Sequence, residues 1–459
     1  MKLINGFDFY SLSFDENGKL AEGNEFLAFR QAAAGTATDA IFIAHGFRND
    51  VNDATTLYTN FLGTFRGHMR RPEFQEIAQR KYIVGGIFWP SKPLPESFGT
   101  TDGGGTQSAD PDTLLSLSAT QKLATLKELL PAKAAQLDQA AALLPLLEND
   151  PVAQDKFTSL VTSALDGIQI DATEGLPLIR EQKGSDMLPK LALPIILPTT
   201  QGGGLDGIDS VGGAAAEGDG GVQSIGSLFG GILGGVDKFL NLATWYVMKN
   251  RSGQVGATGV AQAVRDTRAA NQSIKIHLVG HSLGGRLMAG CAKSLGETPL
   301  LQPDSMTLLE AAFSHYGFSA NNGKGLAGFF RDVIAKHVVK GPLVETFSYQ
   351  DTVVGTVYAI PSRLAGDNTK AIGDANDEFG GIGRNGAQLT TESYFQPMKP
   401  AGTMSAPYIF RTGVVNCIDG SGGLIKDHGD VTNADVTYAF ASAVASTRGA
   451  GAIGVSATG

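Results

Sequence analysis

The sequence is poor in the residues that build cross-links and zinc sites. Cys291 and Cys417 are the two cysteines among 459 residues. They lack the Cys/His spacing of a zinc site. Two cysteines do not make a disulfide framework in a chain of this length, so we expect a reducing compartment.

Positive charge and long apolar runs are also scarce. The 36 lysines and arginines are outnumbered by 45 aspartates and glutamates, which gives a formal net charge of −9. This balance argues against a nucleic-acid partner and against electrostatic docking on anionic lipid. No run of about 20 apolar residues predicts a transmembrane helix, and the N-terminal segment lacks the apolar core of a secretory signal. We therefore expect a cytoplasmic protein by default, with export by a signal-independent route left open.

The most informative segment is 274–290, IKIHLVGHSLGGRLMAG. An apolar run precedes a G-x-S-x-G match and helix-compatible residues follow it, which is the strand–turn–helix setting of a nucleophile elbow. Gly280 and Gly284, two positions to either side of Ser282, allow the strand and the helix to approach each other. His281 completes the elbow. The pattern makes Ser282 a candidate nucleophile at a helix N-terminus, where an oxyanion is favoured.

Predicted strands and helices alternate along the chain. The strands are expected over 39–44, 82–89, 274–279, 307–313, 344–348 and 407–415, and the helices over about 50–66, 282–297, 324–340 and 432–446. This alternation predicts an α/β fold with a mostly parallel central sheet and helices on both faces. Ligands of such sheets bind beyond the carboxyl ends of the strands.

The interval 92–235 interrupts the alternation. It combines leucines at helical spacing over 113–147, a further helical segment at about 151–164 and a glycine-rich tract over 201–235. We interpret it as a large, mainly helical cap whose glycine-rich part is a mobile connector. The predicted organisation is 1–91 and 236–446 as the two parts of one α/β domain, 92–235 as the inserted cap, and 447–459 as a flexible tail.

A serine nucleophile needs a base and a carboxylate that orients the base, in the chain order serine, acid, histidine. Asp351 follows the predicted strand 344–348, so its carboxylate is expected at the same sheet edge as Ser282. His428 is the one histidine of seven that follows this acid. Each has a simpler alternative, since Asp351 could cap a turn and His428 could be an ordinary loop residue. Their order favours a triad, with rival acids at Asp367, Asp374 and Asp377.

An oxyanion hole would complete the site. One amide is expected from Leu283, the residue after the nucleophile, and the other from Phe47 in the His-Gly-Phe turn after the first predicted strand. That turn could also be no more than a strand end. The G-x-G-x-x-G match at 381–386 does not follow a strand, so we interpret it as a flexible loop rather than a nucleotide site.

Several of these motifs together resemble the α/β-hydrolase superfamily, and in particular a poorly characterised bacterial branch of esterase- or lipase-like hydrolases. They are His45-Gly46-Phe47, Phe88-Trp89-Pro90-Ser91, the GHSLGGR run at 280–286, Asp351 in SYQDTVV, and His428. The resemblance covers about 39–91 and 236–446. It implies an α/β-hydrolase fold and acyl transfer through a serine ester, with no metal or other cofactor. By the same resemblance Ser282 is the nucleophile, His428 the base and acid, Asp351 its orienter, and Phe47 and Leu283 the oxyanion donors.

Three functions remain open at this stage. The first is a carboxylic ester hydrolase acting on a small-molecule or lipid ester. The second is a phospholipase or lipase effector in transient contact with a lipid surface, for which the apolar stretch 225–248 would be a lid hinge rather than a packed helix. The third is a catalytically inactive binding protein with a hydrolase fold. Acyl length, ester or amide preference and oligomeric state are not set by the sequence.

Overall fold

A nine-stranded sheet forms the centre of the molecule. The computed structural model describes residues 1–21, 23–91, 119–193, 197, 231–365 and 374–447. Within these ranges the strand order is β1-β2-β4-β3-β5-β6-β7-β9-β8, with β1 antiparallel to β2 and every other pair parallel. The strands are β1 Lys2–Ile4, β2 Phe7–Ser13, β3 Asp39–Ala44, β4 Tyr82–Phe88, β5 Lys275–His281, β6 Ser305–Leu309, β7 Leu343–Phe347, β8 Ser393–Pro397 and β9 Val415–Asp419. The predicted α/β class is therefore confirmed.

Helices connect the strands, and a π-helical segment joins α9 to α10. In chain order they are α1 Gly23–Ala34, α2 Val51–His68, α3 Gln75–Ala78, α4 Ala119–Leu129, α5 Ala134–Ala141, α6 Pro151–Ala164, α7 Leu176–Glu181, α8 Gly184–Ala192, α9 Ile232–Val255, α10 Ala261–Ala270, α11 Leu283–Leu295, α12 Arg331–Ala335, α13 Thr352–Leu364, α14 Ile382–Asn385 and α15 Ala434–Ala445. None of these helices in the described ranges is long and apolar enough to cross a membrane.

Strand β3 explains why both faces of the sheet are covered. All six of its residues are buried, and successive side chains of a strand point to opposite faces. Phe42 therefore packs against Phe29 of α1, with ring centroids 5.3 Å apart. Ile41 points to the opposite face of the sheet, into a second core that contains Phe61 of α2 and Phe440 of α15. The rings of these two phenylalanines lie 5.2 Å apart. The continuous apolar run is thus the signature of a strand buried on both faces.

Three predicted elements were placed wrongly. The strand expected over 307–313 ends at Leu309, because Glu310 adopts a positive φ of 45°. The helix expected over 324–340 is reduced to α12. The strand expected over 407–415 is a loop: the Asn416 side chain accepts from the backbone N–H of Arg411 and donates to its carbonyl, which bends the chain there. The strand itself is β9, and β8 was not predicted.

The described part of the interval 92–235 is helical. Its helices α4 and α8 pack on α9, which in turn packs on α11. The approach of α8 to α9 is close, because a Cβ on Gly235 would lie 2.0 Å from the carbonyl oxygen of Leu188. The helix expected in the apolar stretch 225–248 is present from Ile232. The predicted glycine-rich connector lies largely outside the described residues, as do residues 448–459 of the predicted tail.

Candidate active site

Ser282 lies in a strained turn between β5 and α11. Its φ of 57° and ψ of −124° are unusual for a residue with a side chain. The turn is held from the neighbouring loop, because the Ser282 N–H donates to the carbonyl of Leu309 (3.0 Å) and the Ser282 carbonyl accepts from the N–H of Ala312 (3.0 Å). The contacts come from the last residue of β6 and from the segment that follows it. The strand–turn–helix geometry predicted from the sequence is therefore formed.

The glycines around Ser282 are required by close backbone contacts. A Cβ on Gly280 would lie 2.2 Å from the carbonyl oxygen of Gly284, and one on Gly284 would lie 2.4 Å from that of Ala44. A Cβ on Gly46 would lie 2.8 Å from the Cβ of Ser282. The last contact shows that the loop after β3 passes directly beside the serine.

The Gly280 contact gives a stability prediction. Gly280→Ala should lower the free energy of unfolding by about 1–3 kcal/mol, because backbone atoms rather than a flexible side chain must move. The matched control is Gly67→Ala, since Gly67 lies inside α2 and a new Cβ would have no atom within 4 Å beyond its chain neighbours and the backbone of its own helix. This variant should gain about 0.5–1 kcal/mol from helix propensity. Denaturant unfolding of the two variants checks the prediction, and equal stabilities would contradict it.

Asp351 and His428 meet at the same sheet edge. The Nδ1 of His428 lies 2.7 Å from Oδ2 of Asp351, and both side chains are buried. The other carboxylate oxygen of Asp351 accepts from the N–H of Val354 and so caps α13. The capping role and the histidine contact therefore coexist in one side chain. A carboxylate can only accept a hydrogen bond, so the proton of a neutral His428 belongs on Nδ1. The other ring nitrogen, Nε2, is then able to accept a proton.

His281 holds the backbone of the loop that carries His428. Its Nε2 lies 2.7 Å from the carbonyl oxygen of His428, and the two rings are 4.8 Å apart. Burial lowers the pKa of His281 to about 3, so the ring is neutral and donates from Nε2. The sequence identified His281 only as part of the elbow. Its contact joins residues 147 positions apart, for which the sequence gives no signal.

The serine–histidine contact is open. Within the described part of the chain, Oγ of Ser282 makes no hydrogen bond. Catalytic hydrogen bonds are often long in unliganded sites and shorten when a substrate binds. The structure thus brings the predicted acid and base together and places the serine turn beside them. The hydrogen bond between Ser282 and His428 is not formed.

The loop after β3 is held firmly. The N–H of His45 donates to the hydroxyl of Tyr58 (3.0 Å), and the indole N–H of Trp89 donates to the carbonyl of His45 (3.0 Å). Within the described residues, the backbone N–H groups of Phe47 and Leu283 donate to no protein group. The two amides predicted to bind an oxyanion are thus unused.

The Trp-Pro-Ser motif after β4 supports that loop. The His45 and Trp89 rings stack with centroids 5.7 Å apart. Ser91 donates from Oγ to the carbonyl of Asn49 (2.8 Å), and its own carbonyl accepts from the N–H of Arg48 (3.1 Å). Burial lowers the pKa of His45 to about 4, so this ring is also neutral. The two motifs are therefore one hydrogen-bonded unit.

Sequence reasoning missed Glu310. Its side chain is fully buried directly after β6, and its Oε2 lies 3.8 Å from Nδ1 of His428. Potential metal-ligand atoms of Glu310, Asp351 and His428 lie within 4.8 Å of one another. A cation bound there would have to displace the hydrogen bond between Asp351 and His428. An acid directly after a strand end was the available signal, but the predicted strand ran past it to 313.

A cavity of about 660 Å³ opens elsewhere, lined by residues of the segments 172–181, 316–326 and 376–379 and by Ala365. Its lining does not include Ser282, Asp351 or His428. The predicted role of 92–235 as a roof over the site stays a prediction, because residues 92–118 and most of 194–230 lie outside the described ranges.

Comparison of the chain with models of known protein families, with curated proteins and with solved structures finds no match. The resemblance to α/β hydrolases therefore depends on the motifs and on the site geometry alone.

Proposed function

We propose that this chain is a serine hydrolase of the α/β-hydrolase type that cleaves carboxylic esters. The observation that carries the proposal is the 2.7 Å contact between His428 and Asp351 at the sheet edge where the strained Ser282 turn lies. A serine, a histidine and a buried carboxylate that follow different parallel strands are the parts of an acyl-transfer site.

The reaction begins when Oγ of Ser282 attacks the ester carbonyl carbon and Nε2 of His428 takes the hydroxyl proton. The tetrahedral oxyanion accepts hydrogen bonds from the amides of Phe47 and Leu283. His428 then gives its proton to the departing alkoxide, and the alcohol leaves a serine ester behind. Water attacks this ester with His428 again as base, which releases the acid and restores the serine.

Preorganised electrostatics support the oxyanion step. Leu283 is the first residue of α11, where the helix dipole favours negative charge. Phe47 belongs to the loop that Tyr58 and Trp89 hold by hydrogen bonds. Donors fixed before the reaction contribute most, about 3–4 kcal/mol each in the transition state.

The neighbourhood of Phe47 favours a substrate with an apolar part. The ring of Trp245, from α9, contacts the ring of Phe47 edge-on with centroids 5.8 Å apart. These two aromatic rings lie beside the proposed oxyanion donors, and the guanidinium of Arg48 lies over the Phe47 ring, 5.7 Å from its centroid. A small-molecule or lipid ester with an apolar part fits such a neighbourhood.

A fluorophosphonate probe tests the proposal directly. We expect covalent labelling of Ser282 and turnover of p-nitrophenyl esters that phenylmethylsulfonyl fluoride blocks and EDTA does not change. An acyl-chain panel then defines the substrate, since a rate that rises sharply once a long-chain ester aggregates would indicate a lipase or phospholipase. If the probe leaves Ser282 unlabelled and no ester is turned over, the chain is an inactive scaffold and the proposal is wrong.

A further inference from the structure

Glu310 is a buried acid whose carboxyl has no hydrogen-bond partner among the described residues. Its side chain is 0% exposed, and neither carboxyl oxygen makes a hydrogen bond in the described part of the chain. Leaving a buried polar group unpaired is costly, so stability does not explain a glutamate in this position. Its backbone, at a φ of 45°, adds a further strain.

The backbone around Glu310 is fixed relative to the elbow. Its own N–H donates to the carbonyl of Thr346 (3.0 Å). Its neighbours Leu309 and Ala312 hold Ser282 through the two hydrogen bonds described above. The segment 381–386 closes the other side, because the N–H of Gly383 donates to Ala311 and its carbonyl accepts from Ser348. This segment was predicted to be a flexible loop, yet it forms the buried helix α14.

The imidazole that Asp351 holds lies within ion-pair distance of the Glu310 carboxyl. The distances from Nδ1 of His428 are 2.7 Å to Asp351 and 3.8 Å to Glu310. We propose that Glu310 is a second positioning carboxyl for His428, so that an acid pair rather than a single acid holds the Nδ1 edge of the ring.

Glu310 is the protonated acid of the two. Burial first, and then the charge of Asp351, raise the pKa of Glu310 well above its usual range, so its carboxyl keeps a proton. The acidic groups facing Glu310 are Asp351, which caps α13, Glu345 of β7, and Asp427 and Asp430 of the loop that carries His428. Arg384 of α14 donates instead to the backbone carbonyl of Asp351 (3.1 Å). If the charge of Asp351 is removed, Glu310 releases its proton to water and becomes the carboxylate that faces the imidazole.

Substitution of Asp351 separates the two acids. Asp351→Ser is the suitable change, because serine can still cap α13 but is too short to reach His428. It is combined with Glu310→Gln, which keeps the shape and removes the charge. The control combination is D351S with Glu345→Gln, because Glu345 is equally buried but lies on β7, inside the sheet.

The first measurement is the pKa of His428 by NMR in protein with ¹³C-labelled histidine. We expect it to fall by about 1 or more from D351S to the D351S/E310Q variant, because an opposite charge within hydrogen-bonding range favours the imidazolium. The D351S/E345Q variant should match D351S. Equal values in D351S and D351S/E310Q would overturn the inference. This measurement does not depend on the protein being an enzyme.

The second measurement is the rate of fluorophosphonate labelling of Ser282, which does depend on the proposed function. Loss of the only acid of a triad costs roughly 10⁴-fold. We expect D351S to lose only about 10- to 100-fold, and D351S/E310Q to approach that roughly 10⁴-fold loss. Equal losses in the two variants would contradict a role for Glu310. Failure of the unmodified protein to label would instead refute the hydrolase proposal and leave the NMR result to decide on Glu310.

Discussion

Ser282→Ala should lower ester hydrolysis by on the order of 10⁵-fold or more and abolish labelling by a fluorophosphonate. The hydroxyl is the proposed nucleophile, so its removal leaves no atom that can form the acyl-enzyme. The fold should be retained, because the turn is held by backbone hydrogen bonds of residue 282 to Leu309 and Ala312 rather than by its side chain. The measurement is the turnover of a p-nitrophenyl ester beside a thermal melt.

Ser294→Ala is the matched control for this variant. Ser294 lies in the last turn of α11, on the same helix but at its far end. Its substitution should leave both turnover and labelling close to those of the unmodified protein. Undiminished turnover by the folded Ser282→Ala variant would remove Ser282 as the nucleophile.

His428→Ala should be almost as damaging, with a loss of roughly 10⁴- to 10⁶-fold in kcat/KM. The imidazole is the proposed proton acceptor, and a 10⁴-fold loss corresponds to about 5.5 kcal/mol of transition-state stabilisation. Truncation leaves a space of the shape of imidazole beside Asp351. Added imidazole should therefore restore part of the activity, which a misfolded variant would not allow.

His337→Asn serves as the control for the histidine variant. His337 is exposed and has a φ of 49°, a backbone conformation that asparagine tolerates. Its activity should stay close to that of the unmodified protein. A His428→Ala protein that stays folded and keeps more than about a tenth of the activity would show that another group acts as the base.

The parts of the fold that the sequence predicted correctly depend on local chemistry. The run DAIFIA gave β3 with its bounds, because six consecutive apolar or buried residues suit a strand covered on both faces. The serine turn was partly local, since Gly280 packs against the backbone of Gly284 only four residues along the chain. The motif residues in correct chain order also indicated Asp351 and His428, which the structure then brings within 2.7 Å.

The wrong predictions share a long-range cause. The strand expected over 307–313 stops at Leu309 because Glu310 turns the chain beside the elbow, and the segment 381–386 is buried because it packs between the loops after β6 and β7. Sequence periodicity shows where apolar residues and glycines occur, but it does not show which distant residues pack against them. The roles of Tyr58 and Trp89 in holding the His45 loop were hidden for the same reason.

The amino-acid sequence alone determined the α/β class, the position of the serine turn and the identity of one acid and one histidine, since each is written in neighbouring residues or in chain order. Tertiary structure alone decided which groups surround His428: Asp351 and Glu310 near Nδ1 of its imidazole, and His281 at its backbone carbonyl. The two hydrogen bonds among these contacts join residues that are 77 and 147 positions apart. They form only when parallel strands bring their carboxyl ends to one edge of the sheet.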